Sequence, residues 1–165
     1  MDKYWADFEV GHARTIIETN GRIQERWADP AFVDKWYAAW KGKILAKTLM
    51  VDGVPVACIG LALQEWNKAE AWALFSASFK EHILTIYRMV VAGIDYALKN
   101  YGIVRIQTTI DPNWPGTVRW IESLGFEYEG TLKKFGPYHE DYLMYGITCD
   151  DPQQQHGKGA LVNGS

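Results

Sequence analysis

Cysteine is scarce in this chain, and long hydrophobic runs are missing altogether. The 165 residues include two cysteines, Cys58 and Cys149, too few for a disulfide framework or a cysteine-rich metal cluster. We therefore expect both to be free thiols in a reducing, cytoplasmic setting. No apolar run reaches the roughly 20 residues that span a bilayer, and the first residues lack the apolar core of a signal peptide. The sequence thus predicts neither a secreted nor a membrane protein.

An excess of positive charge is also missing. The net charge is -3 and the lysines and arginines are scattered, which argues against a nucleic-acid partner. Aromatic side chains, in contrast, are abundant, with eight tryptophans and nine tyrosines. Residues 1–149 are expected to form a single domain. The polar, glycine-rich residues 150–165 predict a disordered tail.

Hydrophobic periodicity predicts an α/β (α+β) order of elements, β-α-α-β-β-β-α-β-α-β-β. The strands are predicted at 4–10, 44–51, 54–63, 71–77, 104–110, 126–133 and 142–148. The helices are predicted at 12–19, from Asp29-Pro30 to Gly42, at 79–100 and at 115–124. Asp52-Gly53 indicates a hairpin turn, and residues 66–69 indicate a polar turn before the fourth strand. An antiparallel meander followed by a βαβ crossover excludes a doubly wound nucleotide-binding fold.

The stretch from Thr117 to Leu132 carries the clearest indication of function. A short amphipathic helix leads into Leu124-Gly125-Phe126, and a strand reading Glu-Tyr-Glu-Gly-Thr-Leu follows. This stretch resembles the C-terminal signature of GCN5-related N-acetyltransferases, especially the branch that acetylates ribosomal-protein N-termini. The segment 140–145 is similar to a closing strand of the same branch. Small acetyltransferase-like proteins of tailed phages have a similarly divergent sequence pattern.

The resemblance implies a fold and a reaction. The implied fold is a central mixed, mostly antiparallel sheet of about seven strands flanked by four helices. The implied reaction moves an acetyl group from acetyl-CoA (coenzyme A) to an amine acceptor, a protein or a small molecule, by direct transfer in a ternary complex. No metal is expected, and the resembling proteins are monomers or homodimers.

The cofactor's phosphate loop is where the chain departs from the family. The family carries Arg/Gln-x-x-Gly-x-Gly/Ala before the long helix, and the aligned segment here has no glycine: His82, Ile83, Leu84, Thr85 and Ile86. The resemblance implies that these five residues bind the pyrophosphate through backbone N–H groups, which need no particular side chain. A competing interpretation is a capping box, with Ser78 as N-cap and Glu81 three residues on. Lys80, His82 and Arg88 are the nearby sources of positive charge.

The remaining site residues also follow from the resemblance. Backbone N–H groups of Phe75, Ser76 and Ala77 are expected to polarise the thioester carbonyl, and Asn113 to contact the pantetheine arm. Glu70 resembles the family's base on the fourth strand, with Glu65 as second choice, although either is equally read as a solvated strand-edge carboxylate. The family often places a tyrosine on the short helix as acid, where this chain has Trp120 and Ile121.

Tyr138 is therefore the expected substitute acid, with His139 beside it as a second candidate, and both are also read as plain surface side chains. Trp114 and Trp120 flank Asn113 and are expected either to wall the acceptor site or only to pack the helix on the sheet. The missing glycines and the missing tyrosine leave an alternative function open. In that alternative the chain is a catalytically silent protein-binding module of the same fold, for example a phage protein acting on a host partner.

Overall fold

The structure, a computed structural model, describes residues 1–19, 30–114 and 116–150. In that part of the chain seven strands form one sheet in the order β1-β2-β3-β4-β5-β7-β6. Their bounds are β1 Lys3–Asp7, β2 Ile44–Val51, β3 Val54–Gln64, β4 Lys68–Phe75, β5 Arg105–Ile110, β6 Glu127–Leu132 and β7 Tyr142–Thr148. The helices are α1 Val10–Thr19, α2 Pro30–Trp40, α3 Ile83–Asn100 and α4 Thr117–Ser123, with a 3₁₀ helix at Phe79–His82.

The predicted order of elements and the mixed, mostly antiparallel sheet are confirmed. Neighbouring strands pair antiparallel throughout, except β4 and β5, which run parallel. The Asp52-Gly53 hairpin forms as predicted, with φ of 48° and 79°, the left-handed values that a two-residue turn between twisted strands requires. Asp29 and the tail beyond residue 150 lie outside the described residues.

The start of β4 differs from the prediction. The sequence predicts a turn over 66–69 and a strand from Ala71, whereas β4 begins at Lys68. Trp66 and Asn67 adopt φ of 57° and 58°, so they complete the reversal alone and pairing with β3 resumes at once. The strand also ends earlier than predicted, at Phe75 rather than at Ala77.

The entry to the long helix also differs. A continuous helix from Phe79 with a capping box at Ser78 and Glu81 is predicted, but Ser78 makes no side-chain cap bond. Its hydroxyl instead lies 3.1 Å from that of Ser76. The capping-box interpretation is therefore wrong, because the first turn is a 3₁₀ helix in which the Glu81 N–H donates to the Ser78 carbonyl.

Helices cover both faces of the sheet, in pairs. One face packs on α3 and α4 through a core that includes Ile86, Ile106 and Ile121. The other face packs on α1 and α2 around Ile16 and Val33. Burying one such aliphatic side chain contributes about 1.5–3 kcal/mol.

Candidate active site

A cleft opens where β4 and β5 separate. The two strands pair at three positions only, Lys68 with Arg105, Ala69 with Ile106 and Glu70 with Gln107, and then diverge. The Thr108 hydroxyl donates to the Ala71 carbonyl at 3.1 Å, so a side chain satisfies the first carbonyl of β4 past the paired region. The cleft has a volume of about 2180 Å³ and is lined by residues of both strands, of α2 and of α4.

The outward edge of β4 supplies backbone groups to this cleft. The antiparallel ladder with β3 alternates, and the Ser76 N–H donates to the Val56 carbonyl at 2.8 Å, so even-numbered residues of β4 face β3. The backbone N–H and C=O of Ala73 therefore point away from β3, into the wedge where β5 no longer pairs with β4. The sequence does not single out Ala73, because the resemblance places the backbone donors at the end of the fourth strand, at Phe75, Ser76 and Ala77.

The three donors predicted from the sequence have different positions in the structure. Phe75, Ser76 and Ala77 all line the cleft. The Ser76 N–H donates to the Val56 carbonyl of the neighbouring chain segment at 2.8 Å, so this group is already used within the sheet. Ala77 lies in the exposed turn after β4. The Phe75 ring stacks on Phe79 at 4.9 Å between ring centroids and meets Trp120 edge-on at 5.8 Å.

The predicted phosphate-binding residues are dispersed around the helix entry. Ile83 is the one of the five that lines the cleft. Ile86 is fully buried in the core, whereas Leu84 is 70% exposed and points to solvent. His82 is buried at 5% exposure, and its Nδ1 atom has no hydrogen-bond partner. Thr85 is half-buried on the first turn of α3.

Backbone donors at this entry are partly used by the protein itself. The N–H groups of Phe79, Glu81 and Ile83 donate to carbonyls three residues earlier. A glycine loop would leave such groups free to bind a pyrophosphate. Lys80 is exposed and lines the cleft, whereas Arg88 is not among its lining residues. The entry therefore fits a phosphate group through one cation and fewer N–H donors than the family's loop offers.

The predicted contact with the pantetheine arm lies at the C-terminal end of β5. Asn113 is exposed and lines the cleft. Its backbone N–H and its side-chain Nδ2 both donate to Asp111 Oδ1, at 2.9 and 3.0 Å. Asp111 therefore fixes the Asn113 amide, and the Asn113 carbonyl oxygen is the atom left to accept a bond from a ligand amide.

The two predicted carboxylates occupy different places. Glu70 lines the cleft at the last paired position of β4, is half-buried, and accepts a hydrogen bond from Gln64 Nε2 at 3.3 Å. Glu65 is exposed in the turn before β4 and lines a separate small pocket of about 330 Å³. The geometry therefore brings Glu70, and not Glu65, to the junction of the two strands.

The predicted acid lies outside the cleft lining. Tyr138 is 61% exposed in the loop between β6 and β7, and its N–H donates to Glu140. This loop lies at the same end of the sheet as the cleft mouth, because Ile110 at the end of β5 pairs with Leu143 near the start of β7. His139 is exposed in the same loop. Neither side chain is among those that the structure brings together around the cleft.

Two tryptophans near Asn113 line the cleft. Trp114, 40% exposed, and Trp120 both line the cleft, as the sequence predicts for an acceptor wall. Trp120 is also packed in the core, and its indole Nε1 is buried without a hydrogen-bond partner. Trp120 therefore lines the cleft and packs α4 on the sheet, and a role in holding the acceptor stays a prediction.

A buried thiol lies beneath α1 and carries no chemistry. Cys58 is fully buried, with its Sγ 3.5 Å from the Thr48 hydroxyl, which in turn lies 3.0 Å from His12 Nδ1. Burial raises the pKa of Cys58 to about 12, and the hydrogen bond from Thr48 offsets this only in part. Since the thiolate is the nucleophile, Cys58 is inert at neutral pH.

Two further classes of site can be assessed within the described residues. Residues 1–19, 30–114 and 116–150 contain no group of three or more His, Cys, Asp or Glu placed to hold a metal ion. The same part of the chain has no helix both long enough and apolar enough to cross a bilayer.

Known structures match this architecture along almost the whole chain. The ribosomal-protein-S18-alanine N-acetyltransferase of Escherichia coli matches with a TM-score of 0.70 at 14% identity, covering 89% of this chain and 94% of its own. A mutant spermidine N-acetyltransferase of Vibrio cholerae matches at 0.67 and 15%, covering 88% and 93%. A GNAT-family acetyltransferase of Bacillus anthracis matches at 0.65 and 18%, covering 90% and 95%. No family model and no curated protein sequence matches the chain.

These matches define the class of fold. The chain has the fold of the GCN5-related N-acetyltransferases, with the sheet splayed between β4 and β5. The resemblance inferred from Thr117–Leu132 is confirmed at that level, and the likeness to phage proteins stays a prediction. An identity of 14–18% carries the architecture and leaves activity and substrate to be argued from the residues.

Proposed function

We propose that this protein transfers an acetyl group from acetyl-CoA to an amine. The observation that carries the proposal is the wedge between β4 and β5, where the backbone of Ala73 faces an open cleft instead of a paired strand. Such an edge offers one N–H and one C=O to an extended amide-bearing chain such as the pantetheine arm. Two of the solved structures are named for action on spermidine and on a protein alanine, both amines, which supports an amine acceptor.

Different residues around the wedge are proposed to contact different parts of acetyl-CoA. Ala73 is proposed to hold the arm along β4, Asn113 to contact it from the β5 side, and Lys80 to balance the phosphate charge at the helix entry. Ala77 and the N–H groups over 82–86 remain proposed contacts at the same end. This assignment uses residues that line the cleft, together with backbone groups next to them.

The chemistry requires two proton transfers. The bound thioester supplies the acetyl carbon; a carbon–nitrogen bond forms as the carbon–sulfur bond breaks. The amine must lose a proton, which we assign to Glu70, directly or through a water that it holds. The leaving thiolate must gain one. Tyr138 stays the proposed donor, because Trp120 and Ile121 carry no proton of suitable acidity, and its place outside the cleft lining makes solvent the competing source.

A catalytically silent protein-binding module is the second candidate. The observation that favours it is the helix entry, where the protein's own carbonyls take the N–H groups of Phe79, Glu81 and Ile83. A chain that has lost cofactor binding would keep the fold and the wedge but no affinity for the phosphates.

Calorimetric titration with acetyl-CoA separates the two candidates. We expect saturable binding below millimolar concentration, followed by acetylation of an amine in a mass-spectrometric assay. Replacement Ala73→Pro removes the outward N–H while sparing the ladder to β3, and we expect it to weaken binding several-fold.

The matched control is Ala77→Pro, in the exposed turn after β4. If Ala77→Pro weakens binding more than Ala73→Pro, the donor predicted from the sequence is the correct one. A flat titration at millimolar acetyl-CoA would rule out the acetyltransferase and leave the silent module.

A further inference from the structure

A small pocket, called here the turn pocket, lies between the C-terminal end of α2 and the turn that joins β3 to β4. Residues of both segments line it, and its volume of about 330 Å³ falls within the roughly 300–1,000 Å³ of small-molecule sites. The Leu63 N–H donates to the Lys43 carbonyl at 2.7 Å, and the Val104 N–H donates to the Asn67 carbonyl at 2.8 Å. Backbone hydrogen bonds therefore hold both segments in place, so the pocket is pre-formed.

One wall of the turn pocket is a tryptophan in an unfavourable position. Trp66 is 80% exposed, although a large apolar ring is stabilised by burial. Its φ of 57° is left-handed, a conformation that a bulky residue rarely adopts. Asn67, which tolerates this conformation, follows with a φ of 58°. Neither packing nor backbone preference accounts for the ring of Trp66, and residues held in such conformations concentrate at functional sites.

Positive charge exceeds negative charge in the turn pocket. Lys43 and Lys68 both line it, and the Lys68 Nζ atom lies 5.2 Å from the centre of the Trp66 ring. Neither ammonium group forms an ion pair with a residue that the structure describes. Glu65 is the one carboxylate among the described lining residues, so two ammonium groups and one carboxylate give a net charge of +1. Trp40, half-buried at the end of α2, adds a second indole ring.

We propose that the turn pocket binds a small aromatic carboxylate. The planar ring of the ligand packs against Trp66 and Trp40, where ring pairs gain more than their buried area alone provides. Its carboxylate lies at Lys43 and Lys68, whose ammonium groups donate charge-assisted hydrogen bonds. The single negative charge of the ligand matches the net charge of the pocket. The proposal is independent of acetyl transfer, because the pocket is separate from the cleft; Trp40 lines both.

Three matched ligands test the ring and the charge separately. The full chain is titrated calorimetrically with indole-3-acetate, with tryptamine, which has the same ring and the opposite charge, and with hexanoate, a carboxylate without a ring. We expect indole-3-acetate to give a saturable heat at millimolar concentration and to bind at least about tenfold more tightly than the other two. The absence of saturable heat with indole-3-acetate would overturn the proposal, and so would equal or tighter binding of tryptamine or hexanoate.

Three variants locate the binding. Trp66→Asn removes the ring and introduces a residue that tolerates left-handed backbone, so binding should weaken at least about tenfold while the urea midpoint of unfolding stays equal or rises. Lys68→Gln should weaken binding about tenfold, because it removes a charge-assisted contact without changing the turn. Its matched control is Lys41→Gln, since Lys41 is exposed and is not among the lining residues. Unchanged affinity in Trp66→Asn, or equal effects of the two lysine variants, would overturn the proposal.

A competition titration separates the turn pocket from the cleft. The indole-3-acetate titration is repeated in the presence of saturating acetyl-CoA, and we expect both ligands to bind together, because they occupy separate volumes. Complete competition between them would place the carboxylate in the cleft and overturn the proposal. Failure of acetyl-CoA to bind would end the proposed acetyl transfer and leave the turn pocket standing, since its own titrations need no cofactor.

Discussion

The two ends of the cleft are built from different parts of the chain. At the helix entry, the phosphate contacts that we propose come from the backbone and from Lys80, and the backbone N–H groups are partly used within 3₁₀ turns. Under α2 the lining consists of large rings, small residues and Glu70, so any contact with a ligand there is made mainly by side chains. A backbone site is tuned by local geometry and resists single substitutions, whereas a side-chain site changes with each residue. The two ends should therefore respond differently to mutation.

Glu70→Gln is expected to show the largest difference between the two ends of the cleft, because it should change the turnover rate and not the affinity for acetyl-CoA. This change keeps the size of the side chain and removes its ability to accept a proton. We expect the turnover rate to fall about 10²–10⁴-fold, the usual contribution of a general base, while the acetyl-CoA dissociation constant stays within about twofold. Stopped assays and calorimetry on the same preparation measure the two quantities. An unchanged turnover rate would exclude Glu70 as the general base.

A smaller effect, confined to the other end, is expected from Lys80→Ala. Loss of the one cation that lines the cleft near the helix entry should weaken acetyl-CoA binding about tenfold and reduce its dependence on salt, because a charge-assisted contact is lost. The matched control is Arg88→Ala, since Arg88 is exposed on the adjoining helix α3 but is not among the cleft-lining residues. Equal losses of affinity in the two variants would mean that the positive charge of this region matters and that Lys80 makes no specific contact with the phosphates.

The bond at the strand junction should affect both ends. Thr108→Val keeps the shape of the side chain but leaves the Ala71 carbonyl without its donor. We expect a loss of about 1–2 kcal/mol in the free energy of unfolding, the cost of an unsatisfied buried acceptor. Urea denaturation measures it, with Thr109→Val as the neighbouring control. A loss shared equally by the two threonine variants would argue against a special role for the junction.

The smallest effect is expected at Ser78. A serine N-cap contributes typically about 1 kcal/mol to stability. Because Ser78 makes no cap bond, Ser78→Ala should change the free energy of unfolding by less than about 0.5 kcal/mol. A loss near 1 kcal/mol in thermal or urea unfolding would support the capping box and the helix start at Phe79 that it implies.

Much of the fold could be predicted because its signals are local. Strands β2 and β7 were placed with the correct bounds, since alternation and flanking turns mark them. The turn before β4 is predicted to extend to residue 69, whereas it ends at Asn67, because neither Trp66 nor Asn67 is the glycine that usually marks left-handed backbone. The donors Phe75, Ser76 and Ala77 follow from the family resemblance, which places them at the end of this strand.

The candidate site was less predictable, because it depends on which strand stops pairing. No local pattern in β4 or β5 states that their ladder ends after Glu70 and Gln107. The aromatic residues of α2 were visible as helical periodicity, but their spacing fits packing against a core equally well. The structure adds a contact that no local pattern states, in which Trp72 of β4 covers Gly60 of β3 and meets Trp36 of α2 edge-on.

The short pairing of β4 with β5 gives the cleft a mechanical property. Beyond the last pair, the five residues from Ala71 to Phe75 form an arm about 16 Å long at about 3.3 Å per residue. A rotation of about 5° at the junction would move the tip of that arm by about 1.4 Å, close to half the length of a hydrogen bond. Because β3 pairs with β4 along this whole length, a wider mouth requires the two strands to move together away from β5.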